Sequence, residues 1–197
     1  MQSAQAALKT LCNPATEVSA HYLIAEDGEV LSLVPEDLRA WHAGAGQWGS
    51  VTDVNSRSIG IELANPGICP FSALQMDALD ELLAGIKARW HIRPERVIGH
   101  SDMAPGRKID PGARFDWRRL ARGGFAVLPV ETEGDTADFP ANMRAFGYMA
   151  TDDAGLLLKT FRLRFRPHAK GPLDTTDAGM IADLATRFPV DANATWV

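Results

Sequence analysis

The stretch from Ser72 to Trp90 sets Leu74, Ala78, Leu79, Leu82, Leu83, Ile86 and Trp90 at i, i+3 and i+4 spacing behind a Ser72-x-x-Gln75 capping box. That is the pattern of one long amphipathic helix, and its apolar stripe has to be covered by something. The segments ahead of it supply a sheet. Val18–Ala25 and Glu29–Val34 flank Glu26-Asp27-Gly28, where Gly28 provides the positive φ of a tight hairpin turn. Ser58–Ala64 alternates Ile59, Ile61 and Leu63 with Gly60, Glu62 and Ala64, the period of a strand, so Glu62 faces away from the isoleucines. Strands ahead of a long helix that packs on them make an α/β domain.

Around that nucleus the chain reads as a short helix over Ala4–Leu11, stopped by Asn13-Pro14, a brief strand over Arg96–His100, a Pro/Gly-rich loop to Gly112, and a helix over Phe115–Arg122. Gly123–Asp138 has turn formers and no helical period, which marks a linker. Three helical segments follow, Pro140–Phe146, Ala154–Phe165 and Asp177–Phe188, enough for a small all-α domain. The expected organisation is therefore 1–122, a linker at 123–138, and 139–197. Twenty Lys+Arg against 25 Asp+Glu, with no basic cluster, argue against a nucleic-acid partner. No window approaches the roughly 18 apolar residues of a transmembrane helix. MQSAQAALKT lacks the features of a signal peptide, so the chain as written is expected in the cytoplasm as a monomer, with the periplasm or envelope open if the natural start lies further upstream. Cys12 and Cys69 are too isolated for a disulfide framework or a Cys-based zinc site and are expected to be buried.

Chemistry concentrates in His100-Ser-Asp-Met-Ala-Pro-Gly-Arg-Lys-Ile-Asp110-Pro-Gly112. A His at the end of a strand, then an Asp ten residues on with Lys108 two places before it, gathers imidazole, ammonium and carboxylate at one loop. His and Asp are good Zn²⁺ ligands, and a cation beside them suits a developing oxyanion. The same residues also fit a turn capped by Asp110 over a core-satisfied His100. Glu62, a carboxylate in an apolar strand, suits a general base or a solvent-facing edge position. Trp41, His42 and Trp48 offer ring and hydrogen-bonding surface for a sugar or peptide, or ordinary core residues.

The order VSAHYLI, GEVLSLVPED, RAWHAG, NSRSIGIELAN, VIGHSDMAPGRKIDPG, FDW resembles the zinc N-acetylmuramoyl-L-alanine amidases of amidase type 2 over about residues 4 to 122. ANMRAFGY, LKTFRLRFRP and GPLDTTDAGMIADL more weakly resemble the helical peptidoglycan-binding domain often appended to them. The resemblance implies a mixed β-sheet flanked by helices and a peptidoglycan or muropeptide substrate lying in a groove. It places His100 and Asp110 on two zinc ligands, Glu62 on the catalytic glutamate, and Lys108 on the lysine that supports the transition state. Trp41, His42, Trp48 and His21 are taken as substrate-binding, and His21 is also a candidate for direct coordination.

One family element has no counterpart. The first zinc-ligand histidine sits in a strand of the type Val-Ile-His-Tyr-Thr ahead of the first helix, and this sequence contains none. An internally assigned start is favoured over a lost strand. Two functions remain: zinc-dependent hydrolysis of the bond between N-acetylmuramic acid and L-alanine, or non-catalytic peptidoglycan recognition without full zinc coordination.

Overall fold

The computed structural model describes residues 3–191. In chain order, its elements are α1 (Ala4–Leu11), β1 (Tyr22–Ile24), β2 (Val30–Ser32), β3 (Ile61–Leu63), α2 (Ala73–Trp90), α3 (His100–Met103), α4 (Trp117–Arg122), α5 (Phe139–Phe146), α6 (Ala154–Phe165) and α7 (Thr175–Arg187). Short 3-10 turns punctuate the loops. No helix among the described residues is long and apolar enough to cross a membrane. The chain divides into two compact units, one of residues 1–45, 53–97 and 114–126, the other of 46–52, 98–113 and 127–197.

The first unit is built on a mixed sheet of order β2-β1-β3, with β1 antiparallel to β2 and parallel to β3. The hairpin forms where Gly28, at φ +91°, donates its N–H to the Ala25 carbonyl at 3.1 Å. α1 covers one face, burying Ala7 and Leu11 with Ala20 and Leu23. α2 buries Gln75, Met76, Leu79, Leu83 and Ile86. That stripe is rotated from the expected one: Leu74 and Trp90 are exposed, and the polar Gln75 is inside. Ser72 caps the helix by accepting the Gln75 N–H, but Gln75 does not close the box. Its side-chain amide donates instead to the Ile24 and Ala64 carbonyls at 2.9 and 3.0 Å, tying together the ends of β1 and β3. Two strands of three residues gain a cross-link that a Leu at this position would not supply. α4 is fixed to α2 by Arg119, which pairs with Asp77 and Asp80.

The second unit holds α3 and α5–α7 around an aromatic core of Trp48, Phe139, Phe146, Tyr148 and Phe161. Trp48 meets Phe146 and Tyr148 edge-to-face, with centroids 5.6 and 5.0 Å apart. Asp102 is fully buried there, accepting the Tyr148 hydroxyl at 2.6 Å and Arg164 Nη1 at 2.6 Å. A second buried pair, Arg162–Asp177, links α6 to α7. Breaking a buried pair by removing one partner costs about 3–5 kcal/mol, because the other charge is left stranded.

Four expectations change. The strand expected over Arg96–His100 is a 3-10 turn at Pro94–Arg96 followed by the short helix α3, because Asp102 accepts the Gly99 N–H and turns the chain into a helix. The stretch expected as a linker is tied down from Leu128 onward: Arg187 donates to the Leu128 carbonyl, Asp183 accepts the Val130 N–H, and the Gly134 N–H donates to Thr175. Its backbone polar groups find partners on α7, so turn-forming composition here marks a packed strap. The compact units also part elsewhere than at 123–138, since residues 98–113 belong with the C-terminal helices. Cys12 and Cys69 are exposed, contrary to the burial expected of them.

Candidate active site

In the first unit the residues of interest gather on β3 and the loop after β2. Glu62 stands in register with Leu23 across the parallel pair, so it shares that face of the sheet with a fully buried leucine while remaining half-buried itself. Gly60, two residues earlier, points to the same face. A Cβ there would lie 2.2 Å from the His42 ring, so only glycine lets the imidazole rest on the strand. The His42 backbone is held by buried Asn55, whose Oδ1 accepts the N–H groups of His42 and Ala43 at 3.0 and 2.9 Å. Neither Asn55 nor Gly60 was singled out from sequence, although the isolated Gly in a strand pattern is the usual mark of a close approach. Trp41 is exposed, with the Arg39 guanidinium 4.2 Å from its ring centroid, and keeps the role of a surface ring.

His21 is placed differently from expectation. It is buried, its Nδ1 accepts the Gly60 N–H at 2.9 Å, and its Nε2 therefore carries the hydrogen, which it donates to the Leu38 carbonyl at 3.0 Å. Both ring nitrogens are committed to the backbone. His21 is a tie between β1, β3 and the following loop, neither a substrate contact nor a free ligand. Trp48 is likewise corrected: it lies in the core of the second unit with its Nε1 buried, so it offers no ring surface to a sugar.

In the second unit the structure brings His100, Lys108 and Asp110 together. His100 Nδ1 touches Asp110 Oδ2, and the Ser101 N–H donates to the Asp110 carbonyl at 2.9 Å. Gly99 packs so closely on Pro111 that a Cβ would lie 2.5 Å from its ring, which sets the two arms of the loop side by side. Burial pushes the Asp110 carboxyl upward, but the His100 hydrogen bond and charge, with Lys108 adding its own, hold it below the usual carboxylate range. The alternative of Asp110 as a mere turn cap does not describe this geometry, since the carboxylate is directed at the imidazole.

Among the described residues no three His, Cys, Asp or Glu side chains form a group that would hold a metal ion. A catalytic zinc takes three protein ligands and a water. His100 and Asp110 supply two donors, and His21 has no nitrogen to spare, so the described residues do not fit a complete zinc site.

Solved structures place the fold in a class. The chain superposes on the N-acetylmuramyl-L-alanine amidase AmiD of Escherichia coli, solved with the substrate anhydro-N-acetylmuramic acid-L-Ala-D-γ-Glu-L-Lys, with a TM-score of 0.85 and 32% identity over 93% of this chain and 84% of that one. The architecture is thus the α/β amidase fold. The family model for N-acetylmuramoyl-L-alanine amidase matches residues 1–113, and the chain belongs to that family. Among curated relatives, AmiD of Escherichia coli (strain K12) is 36% identical over 77% of this chain and 67% of its own length. The 1,6-anhydro-N-acetylmuramyl-L-alanine amidase AmpD of Enterobacter cloacae is 42% identical over 52% of this chain and 55% of its own.

Proposed function

We propose that the protein hydrolyses the amide bond between N-acetylmuramic acid and L-alanine in peptidoglycan or its muropeptide fragments. The observation that carries this reading is the His100–Asp110 contact beside Lys108, in a chain of the amidase family. Glu62 acts as the base that takes the proton of the attacking water and passes it to the leaving alanine amine. Lys108 balances the charge that develops on the carbonyl oxygen. Trp41 and His42 contribute surface to the sugar or peptide, and α5–α7 attach the protein to polymeric wall. Zinc dependence enters only through His100 and Asp110, the two residues on family ligand positions.

The donor count favours a second reading, a peptidoglycan-recognition protein that binds without turnover. One experiment separates the two. Anhydro-N-acetylmuramyl-L-Ala-D-γ-Glu-L-Lys is incubated with the protein, release of free tripeptide is followed by chromatography, binding is followed by calorimetry, and zinc is measured on the same preparation. Release supports the amidase; saturable binding without release supports recognition. Neither binding nor release overturns both.

A further inference from the structure

The turn that presents His100 is held from behind by a group the reaction does not use. Asp102 has no exposed surface, and its two oxygens take three donors: the Gly99 N–H at 2.8 Å and Arg164 Nη1 at 2.6 Å on Oδ2, and the Tyr148 hydroxyl at 2.6 Å on Oδ1. Gly99 directly precedes His100, while on the other side the Ser101 N–H is committed to the Asp110 carbonyl. The backbone of His100 is therefore pinned at both neighbours, at one by Asp102 and at the other by Asp110. Arg164 lies in α6 with 1% of its side chain exposed, and Tyr148, just past α5, is fully buried. The three partners belong to one compact unit, so the arrangement is internal to it.

A simple core function would be met more cheaply. Well-packed apolar residues of similar volume are often as stabilising as a buried ion pair, so a buried carboxylate whose two oxygens take three donors from separate parts of the unit is better explained by what it orients than by stability. Asp102 has one donor from the turn and two from the C-terminal helical region.

We propose that Asp102 is a positioning residue for the amidase reaction, through which Tyr148 and Arg164 fix the Gly99–His100 turn and so the direction of the His100 ring toward Asp110. The C-terminal helices then contribute to the chemical step on soluble substrates as well as to wall attachment. This inference rests on the amidase reading for its kinetic arm, and its spectroscopic arm is independent of it.

The test uses Tyr148→Phe, which keeps the ring against Trp48 and Phe146 and removes only the hydroxyl, together with Asp102→Asn and Arg164→Lys, all in the full chain. The chain has five histidines, so ¹⁵N-histidine spectra resolve individual rings. Tyr148→Phe is expected to move the His100 ring resonances and leave His21, in the other unit, unmoved. With soluble anhydromuramyl peptide it is expected to lower kcat by about 10-fold at unchanged KM, the lower end for outer partners of a functional side chain. Asp102→Asn should act more strongly in the same direction, and Arg164→Lys, which keeps a cation but not the guanidinium's reach to Asp102, should act in the same direction and more weakly than Asp102→Asn. Folded variants whose His100 resonances match the parent overturn the proposal, whatever happens to their thermal midpoints. If the parent has no turnover, the amidase reading fails and the resonance shift alone decides on Asp102.

Discussion

The two units use histidine in opposite ways. In the sheet unit, His21 spends both nitrogens on backbone groups and disappears into the wall beneath β3. In the helical unit, His100 sits on a four-residue helix and directs Nδ1 at a carboxylate on an exposed loop. The difference lies in what surrounds each ring. Three-residue strands leave backbone groups unpaired at their ends and in the loops beside them, and the buried His21 satisfies one of each, the Gly60 N–H ahead of β3 and the Leu38 carbonyl in the loop after β2. In the helical unit Asp102 accepts the Gly99 N–H, so the backbone demand beside His100 is met by another side chain. Where another side chain has already met the backbone's demand, an imidazole can take a side-chain partner instead.

Replacing the two histidines in parallel is the strongest way to break this contrast. His100→Ala should lower muropeptide cleavage by about 10³-fold, the scale for loss of one preorganised active-site group, with little change in thermal midpoint. A His100→Ala variant that cleaves normally would remove His100 from the site altogether.

Glu62→Gln comes next. It keeps the shape of the side chain on β3 and removes its basicity, so kcat should fall by about 10²-fold or more at similar KM and unchanged circular dichroism. Unchanged kcat would return Glu62 to an ordinary half-buried strand residue.

His21→Ala should show the reverse pattern from His100→Ala. The Gly60 N–H and the Leu38 carbonyl lose their partner in a buried place, at about 1–3 kcal/mol each before any relaxation. Urea unfolding should report a loss of roughly 2 kcal/mol or more, with activity per folded molecule reduced much less than in His100→Ala. Equal stability of the two variants would mean that the difference between the units has been drawn wrongly.

The same contrast explains what was legible in the sequence. Ala4–Leu11, Ala154–Phe165 and the hairpin about Gly28 come out as expected, because each depends on local period and a turn residue. The pairing of His100 with Asp110 was legible from a ten-residue loop closed by Pro and Gly. What could not be seen were groups whose role is set across the fold. Gln75 looked like half of a capping box and became a clamp on two strands. Asp102 looked like a loop residue beside His100, and Tyr148 and Arg164, 46 and 62 positions away, decide its meaning. His21 and Trp48 carried residue types suited to a site, but burial removed them from it. The segment 123–138 had the composition of a linker, and only the side chains of α7 show where its polar groups go. Local period predicts elements well, whereas satisfaction of buried polar groups is a long-range property that no window of sequence contains.

The smallest expected effect concerns how the first unit holds the loop that carries Trp41 and His42. Glu36 in that loop accepts hydrogen bonds from Arg89 and Trp90 at the end of α2 and from the Tyr22 hydroxyl on β1, at 2.9 Å from Arg89 Nε, 2.6 Å from Trp90 and 2.7 Å from Tyr22. The Arg89 hydrogen bond, against the opposing effect of burial and with help from Tyr22 and Trp90, brings its carboxyl down from 4.5 to about 2. A carboxyl depressed on folding stabilises the protein above its unfolded value and loses that contribution as protons bind. The stability from Glu36 is therefore complete above 4.5 and fades as pH falls toward about 2. Arg89 is half exposed, so solvent screening limits the contribution to about 1 kcal/mol, or about 2–4 °C in a chain of this size. Glu36→Gln cannot titrate. Its thermal midpoint should lie below the parent's at neutral pH, and the gap should narrow steadily through the acid range, whereas a gap that holds constant down to pH 2 would show that packing of Gln, not loss of the charged clamp, is responsible.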